Sequence, residues 1–185
     1  MLLKGKTMAS KFGGWSIDKT LYEFIREVLP EGSTILELGS GQVTDILARD
    51  YKMYSVESDL EYVDKYNSTY LHVPLREHKA IKNHRFTQWY NADILRPLLK
   101  GIKYDLLLID GPVQTRSGFF KYMDLFDSNA IWIFDDSNRG PDARVLNSVC
   151  SRLDRPWVTY HGGPDKTFSV VNSPLLVPFL KGEIR

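Results

Sequence analysis

Residues 104–110, YDLLLID, constrain the fold of this chain more than any other segment. They are nearly all apolar, and Gly111 and Pro112 end the run. A strand that is apolar on both faces must be covered on both faces, as happens in parallel sheets flanked by helices. The segment therefore predicts a central strand of an α/β sheet.

Apolar periodicity divides the rest of the chain into alternating strands and helices. Helical spacing predicts a first helix over residues 16–29, with Ser16 as a candidate cap, and a later helix over residues 117–126 that Ser117 caps. Further helices are predicted at residues 43–47, 60–66, 94–99 and 140–153. Further strands are predicted at residues 34–38, 53–58, 70–73 and 130–136, with a final hairpin at 157–160 and 167–171.

This order of elements predicts one domain over residues 1–185, with an inserted loop at about 74–90 that has no clear period. Strands that alternate with helices form parallel sheets through right-handed crossovers. We expect a Rossmann-like, doubly wound α/β fold whose C-terminal hairpin adds one antiparallel strand.

Bulk composition narrows the classes of partner. The net charge is +1, which argues against nucleic acid or a membrane surface as a partner. No run approaches the roughly 20 apolar residues of a membrane span. Cys150 is the only cysteine and fits a reducing compartment, so we expect a cytoplasmic protein. The sequence does not indicate an oligomeric state.

The turn after the first strand is the first candidate binding site, since ligands of such sheets bind at the carboxyl ends of the strands. Its sequence is Glu37-Leu-Gly39-Ser40-Gly41, and both glycines allow a close backbone approach to a ligand. Glu57 ends the second strand, where a carboxylate can accept hydrogen bonds from a ribose diol. The alternatives are a tight turn without a ligand and a solvated acid.

The type of ligand follows from two further residues. Thr44 stands where the dinucleotide fingerprint has its third glycine, which disfavours NAD. Glu37, just before the turn, suits a ligand with a positive group. S-adenosylmethionine supplies two such groups, its sulfonium and its amino group.

Over residues 16–171 the sequence resembles the class I S-adenosylmethionine-dependent methyltransferases. ILELGSG is similar to their first motif and VES to their ribose acid, while YDLLLIDG followed by IFDD resembles the branch of small O-methyltransferases. The resemblance implies that Asp110, Asp135 and Asp136 lie near the methyl donor. In some members of that branch these positions hold a divalent metal.

A metal-free arrangement is the favoured prediction for these aspartates. Many members of the branch carry a histidine shortly after the IDG aspartate, whereas this chain has IDGPVQTRSG. We expect Asp110 and Asp136 to face the acceptor, one of them as a base, with Arg116 or Arg139 as the counter-charge. A bound magnesium ion is the alternative.

Two further positions are candidates for the site. Asp93 lies where related enzymes place a polar side chain against adenine, although Asn91 competes for that role and both residues are good helix caps. His161 ends a strand that should reach the ligand edge of the sheet, where it is a candidate general base. An ordinary hairpin residue is the alternative for His161.

The inserted loop offers the best clue to the acceptor. Arg76, Lys79, Lys82 and Arg85 outnumber Glu77, and Phe86, Trp89 and Tyr90 follow them. Such a segment is either a lid over a phosphorylated or nucleotide-linked substrate or solvated surface with aromatic residues beneath it.

The predicted function is methyl transfer from S-adenosylmethionine to a hydroxyl of a sugar or another small metabolite. Phosphorylated and sugar-linked acceptors are among the predicted candidates. Two alternatives stay open at this stage. One is an NAD-dependent oxidoreductase that uses the same turn. The other is a non-catalytic module on the same fold that binds a nucleotide or RNA.

Overall fold

Seven strands form one sheet in the computed structural model, which describes residues 17–78, 88–113, 116–162 and 166–173. In chain order the strands of the sheet are β1 (Thr34–Leu38), β2 (Lys52–Glu57), β3 (Thr69–His72), β6 (Leu106–Ile109), β7 (Ile131–Asp135), β8 (Trp157–His161) and β9 (Thr167–Val171). A separate hairpin joins β4 (Leu75–Glu77) and β5 (Gln88–Tyr90).

Five α-helices connect the strands within the described residues. They are α1 (Lys19–Val28), α2 (Thr44–Leu47), α3 (Ala92–Leu99), α4 (Gly118–Tyr122) and α5 (Gly140–Leu153), and a 3₁₀ turn follows α4 at Met123–Leu125. None of these helices has the length and apolar character that crossing a membrane requires.

The strand order is β3-β2-β1-β6-β7-β9-β8, and it confirms the Rossmann-like, doubly wound prediction. Four parallel pairings join β3 to β7, whereas β9 is antiparallel to both of its neighbours. The order reverses between β1 and β6, so the carboxyl ends of these two strands flank the switch point where such sheets bind ligands.

Alternate residues of the central strands supply the two cores of the domain. Leu36, Leu107 and Trp132 face α3, α4 and α5 on one side of the sheet. Ile35, Leu108 and Ile133 face α1 and α2 on the other side. Each fully buried side chain of this size stabilises the fold by about 1.5–3 kcal/mol, which holds the carboxyl edge of the sheet in place.

The structure corrects three local predictions. Residues 60–66 form turns instead of a helix, because Leu60 and Tyr62 are exposed and Asp64 adopts a left-handed backbone with φ 59°. Asp18 caps α1 through the N–H of Leu21, while Ser16 lies outside the described residues. Ser117 precedes α4 without a capping hydrogen bond from its side chain.

Candidate functional site

Two glycines bring the ends of β1 and β6 together. Gly39 follows β1 with φ +84°, a conformation that side chains rarely adopt. A Cβ atom at Gly39 would lie 3.1 Å from the backbone of Gly111, and a Cβ at Gly111 would lie 2.9 Å from the Cα of Gly39. Neither position has room for a side chain, so bare backbone lines the switch point of the sheet.

A cavity of about 790 Å³ opens at this point. Its volume is in the upper part of the range for small-molecule sites, roughly 300–1,000 Å³. The lining residues come from the ends of β1, β2, β6 and β7, from the β4–β5 hairpin, from the residues before α4 and from the start of α5. They are Gly39, Ser40, Glu57, Ser58, Asp59, Tyr62, Leu75, Tyr90, Asp110, Gly111, Pro112, Val113, Arg116, Ser117, Asp136, Arg139, Pro141, Asp142 and Arg144.

Glu57 lies at the end of β2, and its carboxylate is held by four hydrogen bonds. The backbone N–H of Ser40 and its hydroxyl donate to Oε2 at 3.0 and 3.1 Å. The N–H groups of Ser58 and Asp59 donate to Oε1 at 2.7 and 2.9 Å. Two carboxylate oxygens offer about four lone-pair positions, so a ligand diol must take the place of the Ser40 hydroxyl.

Glu37 lies beneath the glycine turn and does not line the cavity. Its carboxyl accepts hydrogen bonds from the hydroxyls of Thr44, at 2.8 Å, and Ser55. Burial raises the pKa of Glu37 to about 8, and the hydrogen bonds from Ser55 and Thr44 oppose that rise. Thr44 also accepts the N–H of Gly41, so Glu37 supports the turn from behind. The predicted contact of Glu37 with a positive group of a ligand stays a prediction.

Arg116 is buried between the ends of β6 and β7 and joins several carboxylates. Its guanidinium lies 2.8 Å from Asp110, 3.5 Å from Asp136 and 3.7 Å from Asp142. Its N–H groups also donate to the backbone carbonyls of Asp110 and Asp135. Burial lowers the pKa of Arg116, but the surrounding carboxylates raise it more, so the net direction is upward.

Asp136 follows β7 and carries two further cations. Arg139 lies 2.8 Å and Lys166 3.0 Å from its carboxylate oxygens. Asp136 adopts a left-handed backbone with φ 53°, which strains a residue that has a side chain. The ion pairs hold this strained position at the edge of the cavity.

The carboxyls of Asp110 and Asp135 both have a raised pKa. For Asp110 the largest cause is burial, and Arg116 opposes it. Burial, followed by the charges of Asp110 and Asp136, raises the pKa of Asp135 to about 7. Asp135 Oδ2 is buried and has no hydrogen-bond partner among the described residues.

The three aspartates also meet the geometric requirement of a metal site, since each offers an oxygen within 4.8 Å of the others. Magnesium prefers six oxygen ligands at about 2.0–2.1 Å. Asp110 and Asp136 already bind Arg116, Arg139 and Lys166, and a metal ion would have to displace these cations. The donor set therefore fits a cluster that its own basic residues neutralise better than it fits a magnesium site.

Besides Glu37, three predicted site residues lie outside the lining of the cavity. The N–H of Asp93 bonds to the capping side chain of Asn91, and the exposed carboxylate of Asp93 pairs with Arg76 at 2.7 Å. His161 is exposed at the end of β8. Gly41 is half-buried beside the turn, with open space where a Cβ would stand.

The structure also places residues at the site that the sequence analysis did not single out. Asp142 and Arg144 line the cavity from the first turns of α5, and Lys166 reaches Asp136 from just before β9. Asp142 and Arg144 follow closely after the end of a predicted strand, and this position could have identified them as candidate site residues. Lys166 is 30 residues from its partner and left no local signal. The basic residues Lys79, Lys82 and Arg85, together with Phe86, lie outside the described residues.

No family model and no curated protein matches the chain. Solved structures do match its fold. A methyltransferase-like protein from Silicibacter pomeroyi has 19% sequence identity and a TM-score of 0.54, covering 92% of this chain and 96% of that protein. A ribosomal protein L11 methylase from Lactobacillus delbrueckii subsp. bulgaricus has 9% identity and a TM-score of 0.52, covering 82% of this chain and 75% of that one.

A third similar structure is the MycE methyltransferase from the mycinamycin biosynthetic pathway, solved with Mg, SAH and mycinamycin VI. It has 14% identity and a TM-score of 0.55 over 89% of this chain. This chain spans about half of MycE, 51% of its length in that structure. At these identities the comparisons establish that the chain has the fold of methyltransferases.

Proposed function

We propose that this chain transfers a methyl group from S-adenosylmethionine to a hydroxyl of a sugar or another small metabolite. The observation that carries the proposal is the position of Glu57. Its carboxylate lines the large cavity at the end of β2 and bonds to the turn that contains Gly39 and Ser40. An acid at this position beside a glycine turn is the arrangement that binds the ribose of adenosine ligands in open α/β sheets.

The bare backbone at the switch point supports this placement of the donor. Gly39 lines the cavity without a side chain, and Ser40 presents a hydroxyl that can rotate when a diol approaches Glu57. Three strand spacings of about 4.8 Å separate β2 from β7, so the cavity extends roughly 14 Å across the sheet. Glu57 and Asp136 line opposite ends of this span, and we place the ribose of the donor at the Glu57 end and the acceptor at the Asp136 end.

S-adenosylmethionine supplies an activated methyl group when it is bound. The protein therefore has to orient the acceptor and remove its proton. Asp110 lines the cavity and lies between the two ends, and its raised pKa fits a carboxylate that accepts a proton. Arg116 fixes the orientation of this carboxylate through the pair at 2.8 Å. We assign Asp110 as the base and Asp136, with Arg139, as groups that position the acceptor.

Calorimetric titration with S-adenosylhomocysteine tests the donor site. Glu57→Ala should weaken binding by about tenfold or more, since hydrogen bonds to a charged group contribute about 1.5–3 kcal/mol. Glu23→Ala is the matched control, because Glu23 is an exposed acid on α1. Ser40→Ala should retain affinity, since it frees the acceptor position that the ribose would take. Unchanged affinity in Glu57→Ala contradicts this placement of the ribose.

The same titration separates the proposal from its alternatives. NAD and a short RNA are titrated in parallel into the wild-type protein. Binding of NAD without S-adenosylhomocysteine would contradict the proposal in favour of an oxidoreductase. Binding of RNA alone would contradict it in favour of a non-catalytic module.

A further inference from the structure

We infer that the acceptor carries an anionic group, a carboxylate or a phosphate, and that Arg144 determines this specificity by binding it. The inference rests on the proposed function, because it concerns the acceptor end of the same cavity. Its basis is the distribution of charge along the cavity wall. Among the described residues that line the cavity, the other arginines form ion pairs with carboxylates and one guanidinium does not.

The acids and bases at the β7 end of the cavity are almost fully matched. Asp110 and Asp142 are held by Arg116, and Asp136 by Arg139 and Lys166. Each of the three acids that line this end therefore has at least one cation within 4 Å, although Asp110 and Asp142 share Arg116.

Arg144 is the cation left over. It lines the cavity and is exposed, and among the described residues no carboxylate lies within 4 Å of its guanidinium. Its Nη1 lies 3.6 Å from the position that a Cβ of Gly140 would occupy, so the side chain folds back over the first turn of α5. The absence of a side chain at Gly140 leaves this space to the guanidinium.

The position of Arg144 is unfavourable without a ligand. The first turn of a helix carries partial positive charge, which disfavours a cation. The one acid in that turn, Asp142, faces Arg116, while Arg139 stands at the N-cap of α5. An anion beside Arg144 would relieve the repulsion among these positive groups, and a guanidinium binds carboxylate or phosphate through two parallel hydrogen bonds.

The position of the anion relative to the donor follows from the sheet. Glu57 ends β2, and α5 begins after β7, three strands away. With its ribose at Glu57 and its sulfur near Asp110, the donor still has an amino-acid arm that extends beyond the sulfur and carries a carboxylate. We assign the anion at Arg144 to the acceptor because Arg144 lines the α5 end of the cavity, and titration of S-adenosylhomocysteine into Arg144→Ala separates this assignment from binding of the donor carboxylate.

Nuclear magnetic resonance of the arginine Nε–Hε groups tests this inference on the protein saturated with S-adenosylhomocysteine. The probes are inorganic phosphate and malonate, which separate the two anionic chemistries. We expect one of them to shift the Arg144 signal saturably, with affinity about tenfold or more lower in Arg144→Ala. Arg152→Ala is the control, since Arg152 lies on the same helix and pairs with Asp124 at the surface.

The outcomes are distinguishable from failure of the proposed function. If S-adenosylhomocysteine binds and neither anion shifts Arg144, the inference is wrong and the proposed function stands. Equal shifts at Arg144 and Arg152 indicate non-specific binding and also contradict it. If Arg144→Ala weakens S-adenosylhomocysteine instead, Arg144 binds the donor carboxylate and the inference is overturned. Failure of wild-type protein to bind S-adenosylhomocysteine contradicts the proposed function itself.

Discussion

Adding one methyl group at Gly111 should loosen the switch point of the sheet. A Cβ at this position would lie 2.8 Å from the Tyr90 hydroxyl oxygen, 2.9 Å from the Cα of Gly39 and 2.9 Å from the carbonyl oxygen of Leu38. Real Cβ atoms essentially never approach other atoms this closely. Two of the three contacts are backbone, so β1 or β6 has to move.

Overpacking of this kind costs about 1–3 kcal/mol. A loss of about 2 kcal/mol in a domain of this size lowers the melting temperature by about 4–8 °C. We expect this shift for Gly111→Ala in thermal unfolding followed by circular dichroism. Gly41→Ala is the matched control in the neighbouring turn, because nothing lies within 4 Å of its Cβ position, and it should change stability by about 0.5 kcal/mol or less.

A double variant locates the strain. Tyr90→Phe removes only one of the three close contacts. Gly111→Ala should therefore destabilise the Tyr90→Phe variant almost as much as it destabilises the wild type. Full recovery would show that the hydroxyl of Tyr90 causes the strain and would refute the argument that the backbones of β1 and β6 are in contact. A melting temperature for Gly111→Ala within about 1 °C of wild type would refute the packing argument as a whole.

Three further predictions concern the acids in and beneath the wall of the cavity. Burial raises the pKa of Glu37 to about 8 in the folded protein, whereas the ordinary pKa of a glutamate is 4.5. The folded protein therefore keeps a proton on Glu37 at pH values where the unfolded chain has released it. This protonation contributes fully to stability below pH 4.5, and the contribution is lost as the pH rises to about 8. Denaturant unfolding should show that the free energy of unfolding of the wild type falls relative to that of Glu37→Gln over this interval. If the two proteins have parallel pH profiles, the raised pKa of Glu37 is contradicted. Asp110→Asn should abolish methyl transfer while circular dichroism shows an intact fold, and transfer by the wild type should survive exhaustive chelation. Activity that is lost on chelation and restored by magnesium would make Asp110, Asp135 and Asp136 metal ligands.

The sequence predicted the sheet well because its strands carry unmistakable apolar runs. Residues of β6 and β7 are buried on both faces, and an apolar run that a sheet covers on both sides is visible without a structure. α5 was equally visible, since Val145, Leu146 and Val149 recur on one face behind Gly140 and Pro141.

The remaining features were not visible in the sequence because they depend on solvent exposure or on partners far along the chain. Residues 60–66 have helical spacing, but Leu60 is exposed, so a helix here would not gain the burial of an apolar face. Glu37 accepts a hydrogen bond from Ser55, 18 residues away, and lies beneath the glycine turn. Asp93, which follows β5, forms an ion pair with Arg76 of β4. Local pattern contains no information about such pairings.

The placement of β9 between β7 and β8 determines when the site becomes complete during synthesis. β7 and β8 do not pair with each other, so the outer edge of β7 keeps unpaired N–H and C=O groups until residues 167–171 have been made. Such an edge is a template for pairing with another chain, and the nascent protein is exposed to that risk until its last described strand arrives. Lys166 arrives with that strand and supplies a cation to Asp136, so the segment that protects the edge of the sheet also completes the charge balance of the cavity.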